Sequence, residues 1–259
     1  MSFEPHSVVV LAGRPAWSNT PPHPALAAQV STYWTIRVEG AHTIRALPDG
    51  CTDVAFDLAS ATPRAFVTGP QAAAQTFTIA GGAALFGVRF RPGCAALLLG
   101  APTREADRWV PLERWLAGEA TTLASAVARA GCTAERVAVI DEVLVQRLAA
   151  RVSDPRLGRA VARVFASGGT TKIEALARAA GASERTLGRL FAAGLGLSPK
   201  RFSRVVRFQA LLRRIVGAPD WTRFAAEAGY SDQAHMSREF KQLFGCTPCE
   251  ALGLVDNMR

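Results

Sequence analysis

The sequence predicts an α+β N-terminal domain (a small β-sheet or barrel plus helices) followed by an all-α C-terminal domain with two helix-turn-helix units. Three observations carry this. Short β-favouring runs split by turn signals fill the chain from Leu26 to about Phe90, and a helical period replaces them from Gly93 onward. A helix–glycine–cap–helix plan occurs twice near the C-terminus. The basic charge is concentrated in the C-terminal two-fifths.

The first 25 residues hold Pro5, Pro15, Pro21, Pro22 and Pro24, and read as an extended arm or surface loop. Strands are expected at Val30 to Val38, Thr52 to Leu58, Ala65 to Thr68, Gln75 to Ile79 and Ala84 to Phe90, each ended by a turn or glycine signal. Short helices are expected at Cys94 to Leu99 and Leu112 to Leu116, and amphipathic ones at Ala120 to Ala130 and Ala134 to Arg151. The last has Val137, Ile140, Leu144 and Leu148 on one face, free to pack on its own sheet or to form a dimer contact. Ser153-Asp154-Pro155 marks the boundary between domains at 1–152 and 153–259. Beyond it come only helices: Arg156 to Ser167, Thr171 to Ala180, Ser183 to Ala193, Pro199 to Val216, Trp221 to Ala228, Asp232 to Phe244, and a short one from Pro248.

A chain of 259 residues, 49% hydrophobic, can bury two ordinary cores, which excludes a disordered or collagen-like protein. No apolar run approaches the ~18 residues that span a bilayer. The opening Met1-Ser2-Phe3-Glu4-Pro5 lacks a basic start, so a cytoplasmic protein with no membrane association is expected. Five cysteines, an odd number, suit a reducing compartment. Cys246 and Cys249 have redox or half-zinc-site spacing, but no second pair completes a site, so no metal and no cofactor is expected.

Residues 1–152 carry 13 Arg against 12 acidic residues, net +1, whereas residues 153–259 carry 17 basic against 9 acidic, net +8. A localised positive field attracts polyanions, above all nucleic acid. Only 3 of the 30 cations are lysine, so part of this bias also fits a GC-rich codon usage.

The repeated plan runs from Ile173 to Phe191 and from Thr222 to Phe240. Ala177 and Ala225 are small enough for close helix crossing, and Gly181 and Gly229 suit the left-handed turn position. Ser183, and Ser231 or Asp232, can cap the second helix of each unit. Leu187, Leu190 and Phe191, then Met236 and Phe240, would hold that helix to the core and leave its other face for a major groove. The long helix from Pro199 can set the units ~34 Å apart, one turn of DNA.

The stretch from Gly229 to Pro248 (GYSDQAHMSREFKQLFGCTP) closely resembles the signature of AraC/XylS-family transcription regulators, with Met236 in place of an aromatic residue or Leu. The resemblance covers about residues 155 to 254. It implies that Arg185, Thr186 and Arg189, together with Gln233, Ala234, His235, Ser237 and Arg238, face double-stranded DNA, with Lys241 on phosphate. Arg238 is open between base reading and a helix-supporting or phosphate role. Gly188 stands where the family often has a longer polar residue. Lys200, Arg201, Arg204 and Arg207 are open between phosphate contact and a solvated face.

Leu47 to Cys51, Gly69-Pro70-Gln71 and Phe86 to Gly93 resemble an uncharacterised domain that precedes such modules, which implies a sensing or assembly role. Trp34, Phe56, Phe77 and Phe90 are expected in the core. Trp34, Arg89 and Arg91 are the candidates for holding a small-molecule effector, although Arg89 and Arg91 would equally pair with Asp49, Asp53 or Asp57. His23 and His42 have no metal-ligand spacing. No nucleophile constellation or phosphate loop points to an enzyme, and the zinc-cysteine cluster and PCHR-type motif of the DNA-repair methyltransferases are absent. The expected function is sequence-specific transcription regulation through two adjacent major-groove segments. The implied partners are DNA, an effector, a second copy of the chain, and RNA polymerase if it activates. The alternative is a ligand-binding or protein-interaction module with degenerate DNA binding.

Overall fold

The computed structural model describes residues 8–12, 16–95, 99–100, 109–149, 154–215 and 220–255. Nine strands fall in the N-terminal half: β1 Val8–Ala12, β2 Ala16–Thr20, β3 Val30–Arg37, β4 His42–Ala46, β5 Thr52–Asp57, β6 Arg64–Thr68, β7 Gln75–Ile79, β8 Ala84–Phe90 and β9 Trp109–Pro111. They build two antiparallel sheets, one of order β1-β4-β7 and one of order β2-β3-β8-β5-β6-β9. The α+β expectation holds, and the five expected strands are present. β1, β2, β4 and β9 are additions. The N-terminal stretch therefore contains two paired strands where an irregular arm was expected: Trp17 lies opposite Ile36, so the segment is anchored on β3. Pro5, Pro15 and part of the expected Cys94 to Leu99 helix lie outside the described residues.

Side-chain alternation divides the six-stranded sheet into two faces. Tyr33, Val88, Val54 and Val67 stand in one cross-strand row. That face is covered by α1 (Glu119–Arg129) and α2 (Thr133–Ala149), whose Ala120, Ala124, Val127, Ile140 and Leu144 join Phe56, Phe86 and Phe90 in the N-terminal core. Tyr33 Oη donates to Asp141 Oδ1 at 2.5 Å and fixes α2 on the sheet. The apolar face of α2 is thus spent on its own sheet. The adjacent row, Trp34, Gly87, Ala55 and Phe66, faces the other way, toward β1-β4-β7.

The C-terminal half is helical: α3 Pro155–Ala166, α4 Ile173–Ala180, α5 Glu184–Leu195, α6 Pro199–Leu212, α7 Trp221–Glu227, α8 Gln233–Phe244 and α9 Pro248–Val255. Two apolar clusters organise it. Phe202 and Val206 of α6 pack with Val164, Leu176, Leu187 and Phe191 of α3 to α5. Phe208, Leu211 and Leu212, further along the same helix, pack with Met236, Phe240 and Phe244 of α8. Burial of each such side chain contributes roughly 1.5–3 kcal/mol. Helix α6 is therefore a shared strut, about 21 Å long at 1.5 Å per residue.

Helix α5 runs through Gly194 and ends at Gly196, which takes the left-handed conformation. A Cβ at Gly194 would stand 2.2 Å from Leu157 Cδ2, so this glycine permits close helix packing rather than stopping the helix. Helix α6 closes at Leu212, and the expected end at Val216 lies outside the described residues. At Leu112 to Leu116 the chain forms only a 3-10 turn, Leu112–Arg114.

Candidate nucleic-acid interface and N-terminal cavity

The two repeats fold alike. Gly181 (φ 68°) and Gly229 (φ 73°) occupy the left-handed position at the turn. The next residue donates back across it: Ala182 N to Ala177 O at 3.0 Å, and Tyr230 N to Ala225 O at 2.9 Å. This is the Schellman closure of a helix end, and it explains the spacing of the repeat. Ala177 and Ala225 are buried at the crossings. The Ser183 hydroxyl oxygen accepts from Thr186 N at 3.2 Å, and Asp232 Oδ1 accepts from His235 N at 2.6 Å, so each second helix has a side-chain N-cap. That backbone hydrogen bond, with one from Ser231, holds the Asp232 carboxyl below its ordinary range. Asp232, rather than Ser231, is the cap.

Leu187, Phe191, Met236 and Phe240 point into the core, as the pattern requires. Leu190 is only half-buried. On the opposite faces, Arg185 and Arg189 of α5 and Gln233, Ala234, Arg238 and Lys241 of α8 are exposed, whereas Thr186, His235 and Ser237 are half-buried. Among the described residues neither Arg185, Arg189 nor Arg238 forms an ion pair, so their guanidinium groups project freely. Others are pre-oriented. His235 Nδ1 lies 3.1 Å from Ser231 Oγ, with its ring edge-on to Tyr230, and Gln233 Oε1 accepts from Thr222 Oγ1 at 3.3 Å.

Two arginines of α6 have a different employment from either alternative open in the sequence. Arg204 donates to Glu239 Oε2 and to Gln242 Oε1, both at 2.7 Å. Arg207 lies over the Tyr230 ring at 4.9 Å and donates to Gly229 O. Glu239 is buried and also accepts from Tyr230 Oη at 2.9 Å. Burial, with Glu239 next to it, pushes the Tyr230 phenol up and keeps it a donor. These contacts lock the turn of the second unit to the strut.

Among the described residues no His, Cys, Asp and Glu group is arranged to hold a metal ion. Cys249 is exposed and Cys246 half-buried at the start of α9, where Thr247 N donates to Glu250 Oε2 and Glu250 N to Thr247 Oγ1 in a capping box.

In the N-terminal half a cavity of about 90 Å³ lies between the two sheets. Trp34, expected in the core, is buried in an apolar cluster with Ile36, Val38 and Ala55 and also lines the cavity, Phe77 is only half-buried and lines it, and Phe56 and Phe90 are buried on the helix side. A Cβ at Gly87 would stand 2.2 Å from the Trp34 indole, so this glycine lets the ring lie against the backbone of β8. Trp17 stacks on Trp34 with centroids 5.6 Å apart, and Trp109 meets Phe77 edge-on at 5.8 Å. Trp17 and Trp109, 39% and 40% exposed, stand on opposite edge strands of the larger sheet. Neither carried a periodic signal, because both edge strands are short.

The polar end of the cavity is one cross-strand row. Arg89 lies opposite Asp53, which lies opposite Thr68. Arg89 Nη2 donates to Asp49 Oδ2 at 2.6 Å and reaches Asp53 Oδ2 at 3.3 Å. Arg89 thus takes the ion-pair alternative. Burial disfavours its charge, but the two carboxylates outweigh this and hold it protonated. Burial pushes the Asp53 carboxyl up, against the pull of Arg89 and of the bond from Trp34 Nε1 at 2.8 Å. Burial and Asp49 also keep the Cys51 thiol protonated. Arg91, past the strand end, donates from Nε to Ala27 O and does not line the cavity.

The segment from Leu47 to Cys51 has two faces. Asp49 and Cys51 line the cavity. Leu47 is buried among Phe208, Leu211 and Phe244 of the C-terminal half. A Cβ on Gly50 (φ 77°) would stand 2.6 Å from Phe202 Cε2, so a left-handed turn residue without a side chain seats directly on α6. Gln209 Nε2 donates to Pro48 O, and Ala74 N donates to Leu243 O at 2.8 Å, adding two further ties.

Two family models match separate parts of the chain. Residues 176–252 match a family described as a helix-turn-helix domain. Residues 18–108 match a domain of unknown function (DUF6597). No curated protein matches the sequence. An AraC-type DNA-binding-domain transcriptional regulator from Chromobacterium violaceum is 24% identical over 39% of this chain and 92% of its own, with a TM-score of 0.37. ToxT from Vibrio cholerae O395 is 9% identical over 96% of both chains, with a TM-score of 0.43. Unsaturated-fatty-acid-bound ToxT from V. cholerae strain SCE256 is 10% identical over 96% of this chain and 94% of its own, with a TM-score of 0.42. No helix among the described residues is long and apolar enough to cross a membrane.

Proposed function

From the match of residues 176–252 to a helix-turn-helix domain and the AraC-like signature of Gly229 to Pro248, we propose that the chain is a sequence-specific transcription regulator of the AraC type whose N-terminal half modulates it through a small-molecule effector. The observation that carries the reading is the pair of equivalently closed and capped units. Each offers unpaired cations on the face opposite its core: Arg185 and Arg189 on α5, Arg238 and Lys241 on α8. Arginine is the commonest bidentate reader of guanine, and Gln233 suits adenine. Thr186, Ala234, His235 and Ser237 complete the reading faces, and contacts to phosphate set their register. The net charge of +8 beyond residue 153 supports it.

We keep the division at 1–152 and 153–259 as the functional one. The path between halves is the segment from Leu47 to Cys51, which walls the cavity on one side and seats on α6 on the other. An occupant that shifts Asp49 and Cys51 acts on the strut that sets the two reading helices. Self-association and contact with RNA polymerase fit such a regulator and belong to the same proposal.

The test is selection of operator sites from a random double-stranded pool, with Arg189→Ala and Arg238→Ala beside the wild type. The expected result is a bipartite site with elements about one helical turn apart. Each variant relaxes one element and weakens binding by about 1–3 kcal/mol if its arginine reads a base. Affinity falls steeply with salt. No enriched sequence and a flat salt response, with and without cavity ligands, would overturn the proposal in favour of a ligand-binding module.

A further inference from the structure

The cavity between the sheets has an aromatic body and an electrically unbalanced end. Its lining includes one cation, Arg89, and two carboxylates, Asp49 and Asp53. Arg89 is drawn to Asp49 at 2.6 Å, with Asp53 the more distant partner at 3.3 Å. Asp49 has a second donor in Cys51 N at 2.8 Å. Asp53 is therefore the surplus carboxylate, and its remaining strong donor is the neutral indole N–H of Trp34. A buried carboxylate without full compensation stabilises a cation brought beside it.

The walls suit the same guest. The stacked pair Trp17 and Trp34 comes from β2 and β3, and the edge-on pair Phe77 and Trp109 from β7 and β9. Ile36, Ile44, Ile79 and Leu85 fill the space between. Indole faces attract organic cations most strongly among the side chains, and more so where water is excluded. An inorganic cation would gain nothing from this apolar lining, and among the described residues the two carboxylates are not part of any group of three or more side chains arranged to ligate it. A free anion would meet two carboxylates ahead of the one arginine, which is already engaged.

We propose that this cavity binds a small organic cation, an ammonium or amidinium group on a compact aromatic or branched apolar body, with the charge beside Asp53 and the body among Trp17, Trp34, Phe77 and Trp109. This deepens the effector half of the function proposed above and rests on it only for the biological use of the site. The cavity of about 90 Å³ is smaller than the roughly 150 Å³ of a closed apolar cavity that takes one benzene ring, so a single-ring guest is the upper limit and part of its body must lie between the exposed Trp17 and Trp109.

Calorimetric titration of the full chain without DNA tests this with three probes of one shape: benzylammonium, benzyl alcohol and benzoate. Leaving DNA out separates the outcome from that of operator selection. The expected order is benzylammonium tightest with one site per chain, benzyl alcohol about tenfold weaker or more, and benzoate not bound. Asp53→Asn keeps an oxygen for Trp34 and removes the charge. It should weaken benzylammonium by about tenfold and leave benzyl alcohol unchanged. Trp17→Leu, at an exposed edge position outside the packed core, provides a second variant should Asp53→Asn fail to fold, and should weaken benzylammonium by more than benzyl alcohol. Gly87→Ala, which drives a methyl into the Trp34 ring, should abolish both. Equal affinity for alcohol and ammonium, tightest binding of benzoate, or no binding of any probe overturns the proposal.

Discussion

Gln209 Nε2 donates to the carbonyl oxygen of Pro48 at 2.9 Å, across 161 positions of sequence, with both residues buried. The bond joins the middle of the helical strut to the turn that walls the cavity. Replacing Gln209 by Leu leaves that carbonyl without its donor in a dry site, which costs about 1–3 kcal/mol. Urea denaturation should show the midpoint falling with an unchanged slope. In DNA titrations, the variant should lose the response to cavity ligands while keeping site selectivity.

Asp53, largely shielded from water, makes stability depend on pH in an uncommon direction. Its folded-state carboxyl is raised above the ordinary aspartate value of 3.8. Folded protein therefore holds this proton where unfolded protein has released it. The contribution of Asp53 is most favourable at low pH and declines as pH rises from about 3.8 through the raised value. Asp53→Asn removes that decline. The wild type minus variant difference in unfolding free energy, followed upward from pH 4, should become less favourable to the wild type and then level off once the raised value has been passed. A difference that grows in the wild type's favour would contradict this.

Glu239 holds two donors at once, Arg204 Nε at 2.7 Å and Tyr230 Oη at 2.9 Å, on a helix proposed to read DNA. Glu239→Ala leaves the Tyr230 hydroxyl buried and unpaired and frees Arg204. Arg204 is 28% exposed, which discounts its share, so the expected loss is about 1–3 kcal/mol. Hydrogen exchange should rise along Tyr230 to Lys241, and DNA affinity should fall although no proposed contact residue is altered.

Gly188 lies within α5 with open space where a Cβ would stand. Its backbone is helical, so glycine contributes only its entropy cost. Gly188→Ala should stabilise the chain by about 0.8–1 kcal/mol, read as a higher denaturation midpoint.

The two helix-turn-helix units were legible because glycine, alanine and cap residues act locally, within seven positions of one another. Arg89 was legible as an ion-pair former because strand parity placed it on the face of Asp53. The cavity was not. Its aromatic walls come from β2, β3, β7 and β9, and β2 and β9 are edge strands whose residues gave no signal of their own. Proline-rich surroundings hid β2, and three residues are too few to give β9 a period. Arg204 and Arg207 were ambiguous for a related reason: their partners, Glu239 and Tyr230, lie more than twenty positions away, and only the packing of α6 on α8 brings them together.

Leu47 sits in the apolar cluster of the helical half, although sequence places it among the strands. A fragment beginning at residue 153 would uncover the Phe208 and Phe244 side of that cluster and lose Pro48 O, the acceptor for Gln209. Excision would thus yield a reading module with a greasy wound, prone to clump, rather than a self-contained one. Heating the intact chain should produce one calorimetric peak, because neither half keeps its core closed after the other has let go.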